Sequence, residues 1–350
     1  MKKRIITGLA VSAVAAMMLT GCGKTPTLEE IRDNLDVSGI TSANIELSID
    51  MGADGKISNP SDNMEMVLDI LSDELDIDLT SKQNVKFTGT MTADMTRSGD
   101  VSHSEGEAKI KVSTSIDALE EALSESGIDD KMNFETYTDY DEEISYTLKD
   151  GDTWVYSDYE DDDSDFSPED IIDFCLDIND NLDEDDQIKV EPKDKEYVVA
   201  FEMTIDNDYI ENLGKDEKKS LQGILDTADM DLDVDDLVDF FEEYGEYADI
   251  SIPVSFEIVF GTQGKGKNMV YVIDSLSFSI EGNATIDLDE DTVEELLEEQ
   301  GMGGNDMTCE VSANINIGLS CSMTIGYDEQ DEIKIPKSVK NDAIDEEDYF

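Results

Sequence analysis

The chain has 350 residues, 24 of them basic and 88 acidic, for a formal net charge of −64. Such a surface repels nucleic acid and other polyanions and gathers cations. With a hydrophobic fraction of only 39 % this acidity would suit a disordered chain, but the long alternating stretches described below require a folded sheet.

Lys2, Lys3 and Arg4 precede a short apolar run, Ile5 to Met18, and then Leu19-Thr20-Gly21-Cys22. This is the layout of a secretory signal peptide, too short to span a membrane, and its end looks like a lipobox with Cys22 as the thiol that takes a diacylglycerol. Residues 1–22 are therefore expected to be a lipoprotein signal peptide. The remainder is expected on the extracytoplasmic face of the cell membrane, anchored through lipid. Residues 23–40 read as a short tether and first helix, with Thr27-Leu28-Glu29-Glu30 as a capping box and Ile31 and Leu35 turned inward.

Residues 41–342 read as a single domain, opening with a strand in which Ala43, Ile45, Leu47, Ile49 and Met51 alternate. A helix near Asp62 to Glu74 follows, then strands with Val85, Phe87, Met91, Ala93 and Met95, and with Ala108, Ile110, Val112 and Ile116, on one face. Asp150-Gly151 signals a hairpin, read with Ile144, Tyr146, Leu148 and Val155 on one face and Trp154 and Tyr156 on the other. The most acidic stretch, residues 158–186, contains a helix start at Ser167-Pro168. Further helices are expected at Asp208 to Ala228, Asp235 to Tyr247 and Asp291 to Gln300. Ile250 to Phe260 alternates, and Pro253 within it predicts an edge or a bulge.

Two runs stand out by length. Val270 to Leu288 places Leu276, Phe278, Ile280, Ala284 and Ile286 on one face. In Cys309 to Tyr327 every odd position is apolar or nearly so. At ~3.3 Å per residue the latter would extend roughly 60 Å, about three times the usual strand, so it must coil. An edge strand at Ile333 to Ile335 and an acidic tail over 343–350 close the chain.

The expected fold class is α+β, a long, strongly curved antiparallel β-sheet packed on several amphipathic helices. The lipobox, short helix and long antiparallel strands resemble the LolA/LppX-type half-barrel lipoproteins, and Ile333-Lys334-Ile335-Pro336-Lys337-Ser338-Val339 resembles the closing segment of an uncharacterised Gram-positive branch of that type. The resemblance covers Leu28 to about Asn341 and implies a curved sheet wrapped around helices, able to enclose an apolar space. It is architectural and carries over no ligand-contacting residue.

Catalysis has little support. The only histidine, His103, sits between serines beside a turn, and no nucleophile elbow, phosphate loop or zinc spacing occurs. The chain is read as a non-enzyme without a cofactor. Asp231, Asp233, Asp235, Asp239 and Glu242 match positions 1, 3, 5, 9 and 12 of a calcium loop, but Asp236 stands where the turn needs glycine, so at most weak calcium binding is expected. Trp154 and Tyr156 could stack on a sugar or partner, or simply cover a sheet edge.

Phe87, Met91, Ile110, Phe256, Phe278, Ile280, Ile315 and Leu319 supply more apolar surface than one sheet needs. They are the expected lining of a groove between sheet and helices that takes a lipid-like, apolar or amphipathic small molecule. The alternative is a surface interaction or scaffold lipoprotein with a solid core and an acidic, cation-binding exterior. The protein partner of such a scaffold is not indicated. Cys309 and Cys321, some 40 Å apart along one strand, are expected not to be bridged to each other; with Cys22 lipidated, at least one of the three other cysteines is then a free thiol or pairs between chains.

Overall fold

A computed structural model describes residues 25–75, 77–116, 131–149, 151–159, 187–193, 196–211, 245–264, 269–299 and 307–349, with isolated positions at 119, 172, 173, 175, 176, 179, 214, 218, 222, 234 and 238. The expected leader and Cys22 lie outside these residues.

The fold is built on the strands whose alternation is longest. β1 (Ser42–Ser58) pairs along its whole length with β11 (Glu310–Gly326) on one side and with β2 (Gln83–Ser98) on the other. From β2 an antiparallel meander runs outward through β3 (Val101–Thr114), β4 (Lys131–Asp139), β5 (Ile144–Lys149) and β6 (Thr153–Asp158). The chain then resumes at the opposite edge with β7 (Val190–Lys193). It returns through β8 (Glu196–Asp206), β9 (Ala248–Gln263) and β10 (Val270–Leu288) to β11. With β12 (Ile344–Asp345) added in parallel to β6, the result is one open sheet of 12 strands, antiparallel in all other pairings. First and last long strands meet at its centre.

α1 (Leu28–Arg32) carries the expected capping box: Thr27 Oγ1 accepts from the Glu30 amide at 3.2 Å, and the Thr27 amide donates to Glu30 Oε2 at 3.1 Å. α2 (Asp62–Leu75) joins β1 to β2, α3 (Asn207–Glu211) follows β8, and α4 (Glu290–Glu299) joins β10 to β11. α5 (Lys337–Asp342) and α6 (Glu346–Tyr349) flank β12.

Cross-strand partners share a face, so the register fixes what lies together. Leu276, Phe278 and Ile280 of β10 stand with Met323, Cys321 and Leu319 of β11, which stand with Ile45, Leu47 and Ile49 of β1. All three apolar clusters form on this face. At one end Leu28 and Ile31 of α1, with Ile172 and Cys175, pack on Ile258, Phe260, Ile273 and Ile325. At the other end Met64 and Leu68 of α2 meet Val293 of α4 and Cys309. A small cluster of Ile210, Val234 and Val238 sits by Ile250.

Several expectations are corrected. The hairpin after β5 pairs Lys149 with Thr153 and Leu148 with Trp154, leaving three residues in the loop where a two-residue turn was expected. Gly151, at φ +78°, supplies the left-handed position such a loop requires. The one-residue change flips every side chain: Trp154 and Tyr156 share a face with Leu148 and Tyr146, and Val155 is on the reverse.

Of the two readings of Pro253 the edge is corrected, since β9 is internal, and the bulge is met: Pro253 falls in the stretch where the ladder to β10 shifts register, between the Ile273–Phe260 and Asn283–Ser251 pairs. Residues 333–335 form no strand. The acidic C-terminus is docked: β12 pairs with Val155 and Tyr156, the Tyr156 hydroxyl donates to Asp345 Oδ2 at 3.0 Å, and Lys340 donates to Asp139 and Glu142 at 3.2 and 2.8 Å. His103 lies within β3 rather than in a loop. It stacks on Tyr137 at 4.4 Å, with Nε2 3.2 Å from Glu135 Oε1.

Candidate functional site

The eight residues expected to line a groove fall on one face of the sheet. Ile110 stands across from Gly89, Phe87 from Met51, Met91 from Leu47, and Ile280 from Leu319, while Ile315 pairs with both Ala53 and Ala284. Phe256 occupies the same face of β9, its ring 5.7 Å from Phe201.

Their surroundings change along the strands. Between the two end clusters the rungs Ile110–Gly89–Ile49–Leu319–Ile280 and Val112–Phe87–Met51–Ile317–Gly282 run side by side, followed by Val85–Ala53–Ile315–Ala284. In this middle zone Met51 is 42 % exposed, Ile315 42 %, Ile317 40 % and Ile110 37 %. Met95 and Met132, on the same face, are also exposed. Four strand spacings carry the zone about 19 Å across β3, β2, β1, β11 and β10. An exposed apolar stretch of this continuity is not the scatter of single side chains seen on ordinary surfaces. Small residues keep its floor low: at Gly89 the neighbouring Phe87 ring and Ile49 side chain close to within 3.5 and 3.7 Å of where a Cβ would stand.

A depression of about 370 Å³ lies nearby. Its polar lining follows two adjacent rungs, Thr92–Glu46–Ser322–Ser277 and Thr90–Ser48–Ser320–Ser279, with the backbone of the Met91–Leu47–Cys321–Phe278 rung between them. Those hydroxyls project from the polar face, so this depression and the apolar zone lie on opposite sides of one sheet.

The other sequence candidates separate. Trp154 and Tyr156 are half-buried on the polar face; the Trp154 ring is 5.8 Å from Tyr137, which stacks on His103. The rings thus cover one another, and the Tyr137 phenol donates to Glu135 at 2.9 Å. Burial, with Glu135 beside it, pushes the Tyr137 hydroxyl up to about 12, so it stays a neutral donor at physiological pH. Asp231, Asp233, Asp235, Asp239 and Glu242 lie outside the described residues, and among the described residues no group of three or more His, Cys, Asp or Glu is arranged to hold a metal. Cys175, Cys309 and Cys321 are free thiols, and the last two are not bridged to each other, as their separation along one strand requires. No helix among the described residues is long and apolar enough to cross a membrane.

One exposed surface was missed in the sequence. Met66, Val67, Ile70 and Leu71 of α2 are all exposed, although α2 docks by Met64 and Leu68. The signal was present: at 100° per residue, the apolar positions of α2 cover about 200° of its circumference, far more than one contact needs.

The sequence matches no protein-family model and no curated protein.

Proposed function

We propose that the chain is a non-catalytic lipoprotein, anchored through Cys22 on the extracytoplasmic face of the membrane, that binds an apolar or amphipathic small molecule against the apolar face of its sheet. In this reading the sheet curves as a half-barrel around helices gathered at its two ends. The ligand covers the middle, much as the LolA/LppX resemblance implies. The observation that carries the proposal is the exposed zone around Met51, Ile315 and Ile317, whose apolar side chains belong to none of the buried clusters that the described residues form at either end of the same face. Acidity argues for a neutral or cationic ligand over an anionic one, since the net charge is −64.

The test uses the chain without residues 1–22, which retains every described residue. Uptake of an apolar fluorophore is measured for this protein and for Met51→Asp and Ile317→Asp, with lipid co-purification followed by native mass spectrometry. Uptake by the parent and its loss in both variants, at unchanged thermal unfolding, is expected. A parent that takes up no probe and carries no lipid overturns the binding reading and leaves the scaffold alternative. Anchoring is tested separately: metabolic labelling with a fatty acid should mark the full chain and fail with Cys22→Ser.

A further inference from the structure

α2 presents apolar surface in a second direction, away from the sheet. Met64 and Leu68, 8 % and 4 % exposed, dock on Val293 and Cys309. Met66 and Ile70, 63 % and 56 % exposed, each follow a docked residue by two positions and so stand about 200° around the helix from it. Val67 and Leu71 extend this outer stripe back toward the docked side. None of the four belongs to the uncovered zone of the sheet, so ligand bound there does not account for them.

What flanks the stripe has one sign of charge. Glu65 and Asp69 border Met66 and Ile70, and the α2 sequence contains acids but no lysine or arginine. α4, joined to α2 through Val293 and Leu297, is likewise acidic and without a base, with Glu294 and Glu295 exposed. Along α2 an apolar, methionine-containing strip therefore runs beside carboxylates on its Glu65 and Asp69 side. Methionine adapts its shape to a partner more readily than branched side chains do. An occupant must cover apolar surface at the centre and bring positive charge to the rim.

We propose that the outer face of α2 is a protein-docking surface for a basic amphipathic helix, whose apolar side lies on Met66 and Ile70 and whose lysines or arginines meet Glu65 and Asp69. A second copy of this chain would bring its own Glu65 and Asp69 and a net charge of −64 against the same acids. An anionic bilayer meets the same repulsion. The docking surface is also far from the segment that leads to the anchor. Ala43 and Ile57 mark the two ends of the sheet along β1, and the 14 residue steps from one to the other correspond to about 46 Å of strand.

The test titrates the chain without residues 1–22 against three synthetic peptides of about 18 residues: a leucine–lysine amphipathic helix, a scrambled peptide of identical composition, and a leucine–glutamate helix. Binding is read by fluorescence anisotropy. The leucine–lysine helix should bind about tenfold or more tighter than the scramble, and the glutamate helix should not bind. The double variant Met66→Gln/Ile70→Gln should lose about tenfold for the amphipathic helix and leave the scramble unchanged. Glu65→Gln with Asp69→Asn should weaken binding and flatten its salt dependence.

Equal binding of helix and scramble, or insensitivity to the Met66/Ile70 change, would mean unspecific charge attraction and overturn the proposal. So would binding of neutral phosphatidylcholine vesicles that depends on Met66 and Ile70, which would make the surface a bilayer contact. A dimer abolished by the same double variant would identify a second copy as the occupant and equally refute it. Fluorophore uptake in the double variant should equal the parent's, so failure here is distinguishable from failure of the ligand reading.

Discussion

Ile325 and Ile317 lie on the same strand and the same face, eight residues apart, and differ in one respect: Ile325 is 8 % exposed and Ile317 is 40 %. Around Ile325 the chain supplies a second layer, with Leu28 and Ile31 of α1 and the buried Ile172 and Cys175. Around Ile317 its cross-strand partners are Met51 and Gly282, one exposed and the other without a side chain. Alternation decides which face is apolar. Whether that face becomes a core depends on what is laid over it, and among the described residues the buried clusters stand at the ends of this sheet while the middle stays exposed.

The sharpest way to break that comparison is to remove equivalent bulk at both places. Phe260, fully buried at the covered end, should cost about 3–5 kcal/mol on replacement by alanine, because a cavity is left in a packed cluster. Ile317→Ala should cost about 1 kcal/mol or less, since part of its surface never leaves water. Urea unfolding of both variants measures the difference. Equal costs would mean that the middle zone is packed as tightly as the end.

Thiol reactivity sharpens the same contrast without altering stability first. Cys175 sits in the covered cluster with no exposure, and burial pushes its thiol up to about 12; Cys321 stands half-exposed on the middle rung between Leu47 and Phe278. At pH 8 a thiol reagent should modify Cys321 in the native protein and reach Cys175 only on unfolding. The raised value also sets a direction for stability. The neutral buried thiol contributes fully below the ordinary cysteine range, near 9, and its contribution is lost as pH rises from there toward about 12. Labelling of Cys175 as fast as Cys321 would show that the covering layer opens readily.

A smaller effect tests the cover itself. Thr27→Ala removes the acceptor that starts α1 and should cost about 1 kcal/mol. If α1 holds the cover in place, the same change should raise hydrogen exchange at Ile273 and Ile325 more than at Ile317.

The contrast between face and cover also explains what could be read in advance. The bounds of β10, the run of β11, the capping box and the shared face of Phe87, Ile110, Phe278 and Leu319 follow from local pattern, because period-two alternation and cap chemistry act over a few residues. The facing of Trp154 did not, since it depends on one extra loop residue beside Gly151, and a one-residue register change reverses a strand. The internal place of β9 was only half legible: Pro253 fits an edge or a bulge, and the register shift in the β10 ladder, a long-range feature, decides for the bulge. The docking of the C-terminus was invisible because Ile344 pairs with Val155 across 189 positions, and two residues of strand leave no periodicity to read. Helix cover over the middle of the sheet is likewise a matter of long-range placement.

The smallest expected effect concerns that C-terminal closure, which, like α1, ties the chain's end to the sheet. Lys340 reaches Asp139 and Glu142 at the β4–β5 turn, and Val339 beside it is buried. The hydrogen bond to Glu142, with a further one to Asp139, holds the Lys340 ammonium above the ordinary lysine range. A group raised on folding contributes fully below its unfolded value, so the pair should stabilise the fold at neutral pH and lose its effect only as pH climbs through the raised value. Both Lys340 and Glu142 are substantially open to water, which limits the contribution to about 1 kcal/mol or less. Lys340→Ala should therefore barely shift the global urea midpoint, while hydrogen exchange at Val155 and Tyr156 increases as β12 frays. A global loss as large as that of Phe260→Ala would mean instead that the C-terminal segment is part of the folding core and not a clasp laid on a sheet that is already complete.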